Sequence, residues 1–206
     1  MAAATPAPSR RPPPLVLASA SPRRRDLLRQ IGLDAEIVEP AEIAEAAGPH
    51  EPPAQYVKRM ARDKAAAVAP GHPGAFVLAA DTVVALGRRI LPKAEDAATA
   101  RACLELLSGR RHRVLGALVL IGPDGRRAER LVTTVVSVKR LHAREIEAYL
   151  AGGEWRGKVG GYAIQGSAAK FIPAINGSYP NVVGLPLAET AALLAGLGYP
   201  VAAGPP

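Results

Sequence analysis

The chain has 206 residues, one cysteine, a formal charge of +8 and a pI near 10.1. That length suits one domain with a substantial core, and 49% hydrophobic with 21% charged residues argues against a globally disordered or membrane-embedded chain. Cys103 alone cannot build a disulfide framework or a cysteine metal site within one chain, which points to a reducing cytoplasm. The basic balance would suit nucleic acid or small anions. Because only 4% of residues are aromatic and the 26 basic residues are spread along the chain, nucleic acid is the secondary reading.

Residues 1–14, MAAATPAPSRRPPP, lack an apolar signal-peptide core, and prolines crowd the second half, so a disordered tail is expected before a single domain over 15–206. Leu15-Val16-Leu17 then reads as a short strand feeding a helix whose N-cap is Ser21 and whose first position is Pro22. Unpaired N–H groups and the helix dipole at that junction favour an anion, and Ser19, Ser21, Arg23 and Arg24 suit a polyphosphate. The same residues would also make a capped surface helix with solvated arginines. Ala35–Val38 is expected to be a second strand. An acidic loop with Glu39, Glu42, Glu45 and Glu51 follows, either solvated or in contact with a metal or nucleotide.

Helical periodicity covers Pro53–Ala69 and puts Lys64 on the apolar stripe, where it must snorkel or meet a partner. Ala75–Ala80 and Val83–Leu86 are buried-strand runs separated by Asp81-Thr82. A carboxylate there calls for a hydrogen-bonding turn or a metal. Gly87-Arg88-Arg89 turns the chain back through Ile90-Leu91-Pro92 to Lys93, before a helix over Ala94–Ser108. Arg113–Ile121 and Leu131–Leu141 are expected to form an antiparallel hairpin across Pro123-Asp124-Gly125, followed by a helix over Ala143–Leu150. Trp155–Gly166, rich in glycine and carrying Lys158 and Gln165, is a candidate second wall of a site. Strands are expected at Phe171–Ile175 and Asn181–Val183, and a closing helix at Leu187–Leu197. No regular βαβ alternation, internal repeat, GxxxxGK[ST] or HExxH occurs, which disfavours a plain Rossmann fold.

LASASPRRRDLL, ARDKA, AADTVV, GGYAIQG and NGSYPNVVGLPLAET occur in an order and spacing that resemble the Maf family of nucleoside triphosphate pyrophosphatases, over about residues 15–197. The resemblance implies an α/β fold related to inosine triphosphate pyrophosphatases, with a mixed twisted sheet, flanking helices and two lobes around a cleft. It implies cleavage of a nucleoside triphosphate to monophosphate and pyrophosphate with a divalent metal, Mg²⁺ or Mn²⁺. Matched position by position, it marks Ser19, Ser21, Arg23 and Arg24 for phosphate, Asp81 with Glu45 for the metal, and Lys64 and Lys93 for catalysis. It also marks Gln165 in the late loop.

Two departures stand out. Pro92-Lys93-Ala94 replaces the usual Gly-Lys-Pro, and Gly157-Lys158 replaces Asp-Lys. Arg23, Thr82 after Asp81, and Ile164-Gln165-Gly166 resemble the branch acting on dTTP and UTP. Rival readings are the methylated-GTP branch, an inosine-type housekeeper, and a nucleic-acid-binding or cell-division regulator without enzymatic activity. The oligomeric state stays open between monomer and homodimer.

Overall fold

The computed structural model describes residues 12–201, so most of the expected N-terminal tail lies outside the described residues. A seven-stranded sheet runs in the order β2 (Ile37–Val38), β1 (Leu15–Ala18), β3 (Phe76–Leu86), β6 (Arg111–Ile121), β7 (Arg127–Ser137), β9 (Ala174–Asn176), with β4 (Arg89–Ile90) turned back onto β3. β1 pairs parallel with β2 and β3, while β3, β6, β7 and β9 are antiparallel neighbours. Mixed pairing of this kind is the expected α/β class. A separate ladder joins β5 (Lys93–Ala94) to β8 (Lys158–Val159).

Alternation along β3 explains how both faces are covered. Val77, Ala79, Val83 and Ala85 enter the core beneath α2 (Pro53–Val68). Phe76, Leu78 and Ala80 enter the core beneath α1 (Pro22–Gln30) and α6 (Leu187–Gly196). Strands buried on both faces read as continuous apolar runs, as β3 does. A second lobe packs α3 (Ala97–Leu107), α4 (Ala143–Gly152), Trp155, Tyr162 and Phe171 around the far ends of β3, β6 and β7. The cleft lies between the lobes. Where Gly160 and Gly161 cross this core, both have positive φ, and a Cβ on Gly161 would come within 3.1 Å of Ala100 Cα. Glycine is therefore required for the loop to lie this close.

Several expected boundaries move for identifiable reasons. Asn181–Val183 is helical, within α5 (Tyr179–Val183), because the Ser178 hydroxyl caps it by accepting from Asn181 N–H at 3.2 Å, and Pro180 fits the first turn. Helix α3 starts at Ala97, since Asp96 caps it by accepting from Thr99 N–H at 2.7 Å while Lys93–Ala94 is drawn into a ladder with β8. Residues 167–171 form a 3₁₀ turn, leaving only Ala174–Asn176 as strand. The second strand shrinks to Ile37–Val38, and β7 begins and ends about four residues early, at Arg127 and Ser137, because it follows the full length of β6. No turn breaks β3 at Asp81. The strand continues through it, and the compensation comes from another helix.

Candidate active site

The alternation of β3 assigns Asp81 to the α2 face and Thr82 to the α1 face. Each residue meets a cation there. On α2 the stripe of Tyr56, Val57, Met60, Ala61, Ala65 and Val68 is buried, and Lys64 lies on it with its side chain only 10% exposed. Its Nζ donates to Asp81 Oδ1 at 2.7 Å and sits 2.5 Å from Glu45 Oε1, which the acidic loop delivers to the cleft mouth. Lys64 thus meets partners and does not snorkel. An uncompensated charge at that depth would be strongly unfavourable, so each of Lys64 and Asp81 holds the other in place. Burial pushes the Asp81 carboxyl above the ordinary carboxylate range, against the opposing pull of Lys64 and Arg24. Tyr56, eight residues before Lys64 on the same face, has its hydroxyl pushed up by burial and then by Asp81 and Glu45.

On the other face Arg24 is fully engaged by the protein. Its Nε donates to Gly184 O at 2.9 Å, Nη1 to Ser19 Oγ at 2.9 Å, and Nη2 to Thr82 Oγ1 at 3.3 Å. One buried guanidinium ties α1, β3 and the end of α5 together while facing the cleft. Ser21 occupies the N-cap position of α1 without a side-chain cap bond, and its N–H donates to Ser19 Oγ at 3.2 Å. Arg23, the residue before Arg24 and half-buried, also lines the cleft.

The second wall comes from the segment after α4. Tyr149 hydroxyl accepts from Ala163 N–H at 3.0 Å, Gly166 N–H donates to Ala163 O at 3.0 Å, and Glu154 accepts from Ser167 N–H at 2.8 Å. These bonds form a turn that displays Gln165 at the cleft edge while Ile164 is buried behind it. Tyr162 sits beneath, its hydroxyl 2.8 Å from His112 Nε2. Lys93 reaches the cleft exposed, 3.3 Å from Glu95.

All of this surrounds one cavity of about 810 Å³. Ser19, Ser21, Arg23 and Arg24 line it from the β1–α1 side, and Glu45, Lys64, Asp81 and Thr82 line its floor. Lys93 and Gln165 close the far side, so every residue expected from the sequence reaches the same space. Tyr56, Arg156 and the Gly184 carbonyl also belong to it. Of these, only Tyr56 had a readable signal, its helical spacing from Lys64.

Six cationic side chains (Arg23, Arg24, Lys64, Lys93, Arg156, Lys158) share the lining with two carboxylates, Glu45 and Asp81. That arrangement, on an α/β sheet with a strand-to-helix junction at the mouth, makes a predominantly cationic cleft with acids at its centre, of a kind suited to polyanions. The chain belongs to the family of Maf-like proteins, whose family model matches residues 14–197. A dTTP/UTP pyrophosphatase of Rhodospirillum rubrum is 65% identical over 186 residues, 90% of this chain and 89% of the relative. The dTTP/UTP pyrophosphatase of Paramagnetospirillum magneticum is 64% identical over 185 residues, 90% of this chain and 97% of the relative. Among solved structures, a nucleoside-triphosphatase / dITP/XTP pyrophosphatase from Mycobacterium abscessus aligns at 21% identity and a TM-score of 0.37, over 63% of this chain and 76% of its own.

Proposed function

We propose that this chain hydrolyses nucleoside triphosphates, dTTP and UTP foremost, to the monophosphate and pyrophosphate. The observation that carries the reading is the Glu45–Lys64–Asp81 cluster at the floor of a cleft otherwise lined by cations. The names of the relatives at 64–65% identity support the substrate class.

A triphosphate brings about four negative charges, so catalysis is mostly positioning plus neutralisation of charge on the phosphoryl oxygens. Arg23, Lys64 and Lys93 perform that task, with Arg24 holding Ser19 and Thr82 in place while adding its charge. Asp81, its carboxylate held by Lys64 and its proton affinity raised by burial, takes the proton of the attacking water. Glu45 and Asp81 already converge on one positive group, the Lys64 ammonium, and are hard oxygen donors. Their donor set therefore fits Mg²⁺ or Mn²⁺, which characteristically takes one or two carboxylates with phosphate oxygens and waters. Among the described residues there is no group of three or more His, Cys, Asp and Glu that could hold a metal. When bound, such an ion supplies charge neutralisation at the phosphates. Gln165 both donates to and accepts from a uracil or thymine edge, and leaving those groups unpaired disfavours other bases.

The partner on this reading is a free nucleotide, with nucleic acid the secondary reading. No helix among the described residues is long and apolar enough to cross a membrane. A cytoplasmic setting fits the single buried thiol, Cys103. The test is a panel of dTTP, UTP, dCTP, GTP, ITP and methylated GTP with Mg²⁺ or Mn²⁺, scored for pyrophosphate release. dTTP and UTP lead in kcat/KM if the reading holds. A lead for methylated GTP would move the chain to the other branch, and no release from any of them would end the enzymatic reading.

A further inference from the structure

The outer wall of the cleft carries two cations, Arg156 and Lys158, that the chemistry above leaves unused. β5 and β8 pair with Lys93 opposite Val159 and Ala94 opposite Lys158, and Gly157 N–H donates to Ala94 O at 2.9 Å. Gly157 has φ +65, and a Cβ there would lie 3.6 Å from Lys93 Cε, so the lysine stem runs directly over this backbone. One residue earlier, the Arg156 guanidinium stacks 4.6 Å from the centroid of the Trp155 ring. That ring is itself buried and anchored by Nε1 donating to Leu150 O at 2.9 Å. Lys158 Nζ donates to Arg156 O at 3.3 Å. Arg23, on α1, lines the same space.

These four cations lack the balance found at the cleft floor. Among the described residues neither Arg23, Arg156 nor Lys158 has a carboxylate ion pair, and Lys93 has only the exposed Glu95, a pair worth little in water. Glu154, near Lys158, accepts from the Ser167 N–H. Lys158 is held below the ordinary ammonium range by burial, then by Arg23, with Lys93 adding to it and Glu154 opposing. The protein brings like charges together and sets against them only the exposed Glu95 beside Lys93 and Glu154 near Lys158. A planar stacked guanidinium beside ammonium groups suits linked phosphates, whose oxygens are many and spread, better than one carboxylate.

We propose that Arg23, Lys93, Arg156 and Lys158 form a subsite for the pyrophosphate half of the substrate, one that also binds free inorganic pyrophosphate. The identity of the substrate rests on the function proposed above; the anion subsite does not. Arg156 and Lys158 are the residues this adds, and they favour substrates whose leaving group is two linked phosphates over those that release one.

The test is calorimetric titration of the full chain with inorganic pyrophosphate, orthophosphate and UMP, without catalysis. Gly157→Asp and Gly157→Asn have the same size and face the same positive-φ strain, but only Asp adds a charge beside Lys93. Pyrophosphate should bind the wild type at least about tenfold more tightly than orthophosphate, and Gly157→Asp should lose about tenfold more affinity than Gly157→Asn. Lys158→Met and Arg156→Met, which leave Gly157 and its positive φ unchanged, should each lose roughly three- to tenfold for pyrophosphate and stay within about twofold for UMP. Equal losses in the two Gly157 variants, or unchanged pyrophosphate affinity in both methionine variants, would overturn the subsite. If no triphosphate is hydrolysed but pyrophosphate binding follows this pattern, the subsite stands and the enzymatic reading falls. If hydrolysis is found but the pattern is not, the reverse holds.

Discussion

The floor of the cleft and its outer rim handle charge in opposite ways. At the floor, Asp81 and Glu45 close on Lys64, and Arg24 is spent on Ser19, Thr82 and Gly184, so buried charge is compensated before any ligand arrives. At the rim, Arg23, Lys93, Arg156 and Lys158 are half-buried or exposed and face one another with little acid among them. A compensated centre is pre-organised for chemistry and costs little to keep assembled. An uncompensated rim is instead attractive to a polyanion and draws it in from solution. On the proposed function, proton transfer falls to the floor and capture of the phosphates mainly to the rim, a division that substitutions can test.

The largest effect is expected at the floor. Asp81→Asn keeps the fold, since an amide still accepts from Lys64, but lowers kcat by more than about 100-fold, roughly 2.7 kcal/mol in barrier. Turnover within about tenfold of wild type in a folded sample would remove Asp81 from the reaction. Arg24→Ala strands three partners in a buried site and should cost about 2–3 kcal/mol of stability, read by urea denaturation, together with activity. Arg25→Ala, one residue on, loses only an exposed contact with Asp34 and should stay within about 0.5 kcal/mol. Equal losses at the two positions would mean that bulk charge, and not the brace, is being measured.

Beneath the rim lies a pH-dependent support. Burial pulls the His112 imidazole down from 6.5 to about 4, while its Nε2 holds the Tyr162 hydroxyl. The unfolded chain therefore takes up this proton near pH 6.5 and the folded chain not until about 4. Its contribution is complete above 6.5 and lost as pH falls toward 4, at about 1.4 kcal/mol per unit. Between pH 7 and 5 the wild type should lose about 2 kcal/mol more stability than His112→Phe. Parallel losses in the two proteins would contradict this. The smallest effect belongs to base choice. Gln165→Glu, at the exposed edge, should reduce the preference for dTTP and UTP over GTP about fivefold, close to 1 kcal/mol, with little change in stability.

How much of this was readable in advance depends on the distance over which each residue is explained. The β1–α1 junction is local, and its strand, Ser21 and Pro22 are legible within eight residues. Lys64, read as snorkelling or partnered, and Asp81, read as needing a turn or a metal, both marked charge in apolar surroundings, and the fold supplies each with the other. Arg24 could not be read in the same way. Its carbonyl partner, Gly184, lies 160 residues away, so a guanidinium read as a phosphate ligand is also the brace of the site. Asn181–Val183 misled because Val-Val favours strands, whereas the Ser178 cap and Pro180 decide for helix. Arg156 gave no signal, since its place in the cleft depends on the β5–β8 ladder, two residues long on each side.

The most direct test of the central claim is the product ratio when the wild-type chain hydrolyses dTTP, with thymidine mono- and diphosphate separated chromatographically and pyrophosphate and orthophosphate assayed in the same sample. Equal amounts of dTMP and pyrophosphate are predicted, with no diphosphate intermediate. Thymidine diphosphate appearing with orthophosphate would contradict the account.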